Sequence, residues 1–111
     1  MNNRELLELA ARAAGNGCTW CEFWETMARP LNDGSGWDNR ATWNPLKDDG
    51  DALRLAVKLR FDVQCYPGMA SVIYDDSSPD GAYLQQNPEK GQSDEQATRR
   101  AIVRAAAELI K

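Results

Sequence analysis

Three cysteines and several clustered aspartates are the side chains of this chain best suited to chemistry, and histidine is absent. Cys18-Thr19-Trp20-Cys21 is a C-x-x-C, the spacing used in thiol–disulfide exchange and in zinc sites. Exchange chemistry of the thioredoxin type needs the motif to follow a strand and open a helix within a βαβ unit, and the flanking pattern does not supply that context. A structural zinc site needs about four ligands. Only Cys65 remains to join, so a carboxylate would have to complete the set. The motif therefore reads as ordinary, partly buried thiols, with no redox or metal role expected for Cys18, Cys21 or Cys65.

The aspartates divide into two groups. Asp48-Asp49-Gly50-Asp51 lacks the alternating spacing and later glutamate of a calcium-binding EF-hand loop, and it reads as a helix cap. Asp75, Asp76 and Asp80 sit in a loop of Ser, Pro and Gly, where solvated carboxylates are a simpler reading than metal ligands or an acid–base pair. Nucleophilic catalysis lacks its usual base, and the chain has no G-x-S-x-G, no P-loop and no dinucleotide-binding glycine pattern. No catalytic residue, metal or cofactor is expected. The remaining recognition chemistry is aromatic: Trp20, Trp24, Trp37 and Trp43 all fall in one irregular stretch. Tryptophan packs in cores by default and is also enriched at interface hot spots. So many are not all required by so small a core, and one or two are expected to be exposed.

The elements that position these residues follow from hydrophobic periodicity. Asn2 and Glu5 have the spacing of a capping box, and Leu6, Leu9, Ala10 and Ala13 recur at helical intervals before a stop at Gly15. The spacing predicts a helix over 3–14. Residues 16–46 form a Trp-rich insert. Its 19–24 segment fits a strand with Trp20, Glu22 and Trp24 on one face, and fits a helix equally well. Asp48 or Asp49 caps a helix to about residue 60 whose polar stripe is only Asp51, Arg54 and Lys58, so other elements are expected to wrap most of it. Alternation predicts strands over 61–66 and 69–74 joined by a Pro67-Gly68 turn, and a third over 82–86. Ser93 and Gln96 form another capping box. A helix follows with Ile102, Val103, Ala106, Leu109 and Ile110 inward, Arg100, Arg104, Glu108 and Lys111 outward, and a Glu95–Arg99 pair.

A length of 111 residues and an apolar fraction of 42% fit one domain with a packed core and no need of disulfide or metal. The fold class expected is α+β, with three helices on a small antiparallel sheet. A net charge of −4 argues against direct nucleic-acid binding, which draws its affinity from basic patches. The odd cysteine count, a charged N-terminal helix without an apolar signal core, and the lack of a long apolar run point to the cytoplasm and away from a membrane.

Taken together, Leu6-Leu7-Glu8-Leu9-Ala10-Ala11 with Ala13-Ala14-Gly15, Trp43-Asn44-Pro45-Leu46, the run from Asp48 to Leu59, and the run from Ala97 to Glu108 resemble the phage ABA-sandwich domain proteins. The resemblance covers the three helices, about half the chain, in the family's order. It implies a phage or prophage origin and an α/β/α layered arrangement, and it brings no catalytic residue with it. Residues 16–42 and 61–92 lie outside it. The function expected is a non-enzymatic accessory protein that binds a host or phage protein, most concretely an inhibitor of a bacterial defence system such as an anti-CRISPR. The surface expected comprises Trp20, Trp24, Asp75, Asp76 and Asp80. The alternatives are a small metal- or thiol-dependent enzyme and a virion assembly component.

Overall fold

Each helix begins on a side chain that takes up an orphan backbone N–H, as the sequence pattern predicts. The structure is a computed structural model and describes residues 2–75 and 81–110. In α1 (Asn3–Ala14) the Asn2 Oδ1 accepts from the Glu5 N–H at 2.8 Å. In α2 (Asp49–Leu59) the Asp48 Oδ1 accepts from the Asp51 N–H at 2.8 Å. In α3 (Asp94–Glu108) Ser93 and Gln96 exchange both bonds of the capping box. The stops of α1 and α2 share one geometry on different residues: Gly15 and Arg60 are both left-handed, at φ 63° and 58°.

The insert folds as an antiparallel meander, β1 (Thr19–Cys21), β2 (Thr26–Pro30) and β3 (Trp37–Trp43). Cys21 pairs with Thr26, so the strand ends at Cys21 and residues 22–25 form the connection. The single strand over 19–24 does not form, because Glu25 turns the chain through a left-handed conformation at φ 51°. Farther along, the pairing jumps from Ala28↔Thr42 to Arg29↔Asp38. The Asp38 carboxylate accepts the Arg40 N–H at 2.9 Å, which stabilises the bulged residues of β3.

The predicted hairpin and third strand appear as β4 (Asp62–Tyr66), β5 (Met69–Asp75) and β6 (Ala82–Gln86), ordered β4-β5-β6. The class is therefore α+β, with three helices and two three-stranded antiparallel sheets. The first sheet, β1-β2-β3, comes from the segment that periodicity left open. One core joins Leu6 and Ala10 of α1, Ala52 and Leu55 of α2, Ala70 and Val72 of β5, and Ala101, Ile102, Val103 and Ala106 of α3. The alanines of α3 bring its backbone close to β5. A smaller cluster joins Leu7 and Ala11, on another side of α1, to Met27 of β2.

Two expectations about helix faces are corrected. α2 is not wrapped: it buries Ala52, Leu55 and Ala56, while Leu53 and Val57 stand 64% and 69% exposed. It packs on α3 and α1, and the second sheet ends at β4 without covering its remaining side. On α3, Arg99 does not take Glu95. Its Nε donates to the Leu46 carbonyl at 2.9 Å and its NH1 to Asp49, tying α3 to the start of α2. Arg100 donates to Asn3 at 2.9 Å and Arg104 to Gln86 at 2.7 Å, so a face expected to be solvated anchors α1 and β6. Among the described residues, no helix is long and apolar enough to cross a membrane.

Candidate functional site

The β1–β2 connection, Glu22-Phe23-Trp24-Glu25, presents the most exposed large apolar side chain described: Phe23 is 87% accessible. Its position follows from local geometry. β1 ends when Cys21, fully buried, seats its side chain in the interior. The left-handed Glu25 then returns the chain to Thr26, and the intervening residues project as a tip. A non-glycine residue in that conformation costs about 1 kcal/mol or more, and such cost is offset only where neighbouring structure fixes the backbone.

Arg4 of α1 supplies part of that fixation. Its guanidinium bonds to Glu8 at 2.7 Å and to Glu22 at 2.9 Å, and lies 5.3 Å from the centroid of the Trp20 ring. The hydrogen bond to Glu8 foremost, with the charge of Glu22, holds Arg4 above its ordinary range against a lesser effect of desolvation. The tip is thus tied to the first helix through Glu22 on one flank, and Glu25 adds a second acid on the other. The pairs are exposed, so their main effect is to orient the turn; exposed ion pairs add little stability.

The expected site residues are placed as follows. Trp20 lies on β1, half-buried against Leu7, Ala11 and Met27. Trp24 is half-buried within the tip turn beside Phe23. Asp75 ends β5 and is exposed, whereas Asp76 and Asp80 lie outside the described residues. Trp37 and Trp43 are half-buried, Trp43 against both cores. Phe23 was missed because a strand reading put it opposite Trp20, on the face of Cys21. The signal present in the sequence is two adjacent aromatics bracketed by glutamates.

The C-x-x-C lies along a strand and not at a helix start. Cys18 precedes β1 and Cys21 ends it. All three cysteines are free thiols: Cys18 half-buried, Cys21 buried and Cys65 exposed on β4. Burial pushes the Cys18 thiol above its usual range; Arg29 pulls the other way and Asp51 adds to the rise. A reactive cysteine needs the opposite shift, toward thiolate. Among the described residues, no three His, Cys, Asp or Glu side chains are grouped to hold a metal ion.

Comparison with protein-family models, curated proteins and solved structures returns no match.

Proposed function

We propose that this chain is a non-enzymatic binding protein of phage or prophage origin that docks on a protein of the bacterial host through the Phe23 tip. Its place of action on this reading is the host cytoplasm, and an inhibitor of a bacterial defence system, such as an anti-CRISPR, is its most concrete form. The observation that carries the reading is Phe23, 87% exposed on a turn tied down through Glu22. A pre-positioned aromatic loses little freedom on docking, and aromatic anchors dominate interface energetics. The bracketing Glu22 and Glu25 select an apolar pocket with a basic rim, and with the net charge of −4 they favour fast encounter with such a surface. The resemblance of the helices to phage ABA-sandwich proteins supports the origin.

The test is capture of partners from bacterial lysate with the native protein and with Phe23→Ala. Burying Phe is worth about 2 kcal/mol, so affinity for a genuine partner should fall by roughly 30-fold in Phe23→Ala. Glu22→Gln with Glu25→Gln should slow association and flatten its salt dependence. A partner bound equally by folded Phe23→Ala refutes the tip as anchor. Phage plaquing on defence-carrying hosts, unchanged by expression of the protein, refutes the defence-inhibitor form.

A further inference from the structure

β4 forms one edge of the second sheet, and its hydrogen-bonding phase follows from the hairpin that joins it to β5. Tyr66 and Met69 face each other across Pro67-Gly68. In a β-turn the first carbonyl accepts from the N–H three residues on, so Tyr66 belongs to the hydrogen-bonded set. Antiparallel alternation then directs the backbone of Gln64 and Asp62 toward β5, and that of Val63 and Cys65 outward. Among the described residues, no backbone group pairs with this outer edge. Within its span β4 has no bulge, proline or lysine, the devices that ordinarily blunt an edge.

The side chains of the same two residues point to the helix side of the sheet, since their partners across the ladder, Val72 and Ala70, are core. There they form one wall of a groove of about 380 Å³, with Ala52, Leu53 and Ala56 of α2 and Ile102 of α3 around it. Leu53, and Val57 one turn on, are the two large apolar side chains of α2 left exposed. A strand laid beside β4 would send every second side chain into this groove. The groove is charged where α2 and α3 begin, at Asp49, Asp94 and Glu95, while Arg99 is committed to Asp49 and the Leu46 carbonyl.

We propose that the β4 edge and this groove accept an extended segment of a partner protein as a fourth strand, apolar at alternate positions and basic at the end near Asp94 and Glu95. Main-chain bonds to Val63 and Cys65 provide attachment, and the groove selects the side chains. Charge separates this occupant from a second copy. The β4 strand of a second copy, Asp62–Tyr66, carries an acid and no base, so it lacks the basic end that Asp94 and Glu95 call for. The site is distinct from the Phe23 tip, so either can fail alone.

The test uses short synthetic peptides of alternating valine and threonine that end in a lysine pair at one terminus or the other. Controls end in glutamates or carry N-methyl groups on alternate backbone nitrogens. The readout is amide hydrogen exchange by NMR on the full chain. With a lysine-ended peptide bound, Val63 and Cys65 amides should gain at least about tenfold protection, while Asp62 and Gln64, already bonded to β5, stay unchanged. The N-methylated and glutamate-ended peptides should bind at least about tenfold more weakly, as should the lysine-ended peptide to Leu53→Gln. Phe23→Ala should bind like the parent. No binding up to millimolar peptide overturns the proposal, as does binding without protection at Val63 and Cys65, or equal binding of the control peptides. A dimer that already protects these amides without peptide also overturns it, by making a second copy the occupant.

Discussion

Replacing Arg60 by glycine should make the protein more stable, and replacing Gly15 by alanine should make it less stable by a similar amount. The two residues end α2 and α1 at nearly the same backbone angles, φ 58° and ψ 44° against φ 63° and ψ 33°. Both termini close with returning bonds. The Gly15 N–H donates to the Ala11 carbonyl at 2.9 Å, and the Phe61 N–H, just past Arg60, donates to the Ala56 carbonyl at 2.9 Å. A residue with a Cβ pays about 1–2 kcal/mol in the left-handed region, and glycine does not. Glycine instead loses more freedom on folding, which returns about 0.4–1 kcal/mol. The difference leaves Arg60→Gly stabilising by about 1 kcal/mol, or about 4 °C in Tm for a chain of this size. The Arg60 side chain is exposed, and among the described residues it makes no ion pair or side-chain hydrogen bond, so its removal takes little away. At Gly15 an added Cβ meets no atom within 4 Å, so only the backbone contributes to the loss. Urea unfolding followed by far-UV circular dichroism reads both variants, with an unchanged m-value expected. An Arg60→Gly midpoint at or below that of the parent, or a Gly15→Ala midpoint equal to it, would refute the assignment of these stops.

Two further outcomes bear on the core and on the thiols. Leu55→Asp and Ile102→Asp, at side chains 2% and 5% exposed, should each abolish cooperative folding, because an unpaired buried carboxylate costs several kcal/mol against a total of about 5–15. Leu53→Asp, on the same helix but 64% exposed, should melt within about 0.5 kcal/mol of the parent; parity among the three would mean that the α2 faces are misassigned. Thermal melts with chelator and with reductant should superimpose on the untreated melt, since Cys18, Cys21 and Cys65 are all unbridged; loss of the transition in either additive rejects a metal-free, disulfide-free fold.

What the sequence made legible was local. Asn2 and Gly15 bracket α1 because a cap and a left-handed stop are decided within a few residues, and the same holds for Ser93, Gln96 and the Pro67-Gly68 hairpin. The insert resisted reading because its aromatics recur at both strand and helix intervals. The deciding event is the left-handed turn at Glu25, a residue type that gives no such signal. The outer face of α2 was misread for another reason. Its apolar residues call for cover, but whether cover exists depends on how many strands the second sheet has, and nothing in α2 encodes that number. Candidate binding residues were legible only in part. The aromatic segment was identified and Trp20 and Trp24 named, yet burial of Cys21 shifts the projecting position to Phe23. Of the three aspartates of the acidic loop, only Asp75 falls among the described residues.

Exposure by itself does not single out Phe23. A domain of this size cannot cover all its apolar surface, and isolated exposed side chains are ordinary. Leu31, Tyr66 and Leu109 are 40%, 48% and 46% exposed without implying a partner. What separates Phe23 is the restraint on its neighbours. Glu22 is held by an arginine that also bonds to Glu8 and stacks on Trp20, and Glu25 accepts an unfavourable backbone conformation to close the turn. Leu109, by contrast, sits at the frayed end of α3, where the last bonds are to carbonyls three residues back. A side chain exposed on a fixed frame can dock with little further loss of freedom; one exposed on a helix end must first be ordered. If the frame matters in this way, Arg4→Ala should weaken partner binding although Arg4 itself touches only this chain, and it should do so mainly by slowing association. Binding kinetics of Arg4→Ala with the captured partner make the comparison. An association rate equal to the parent's would mean that the turn is set by its own backbone and that the arginine is incidental to recognition.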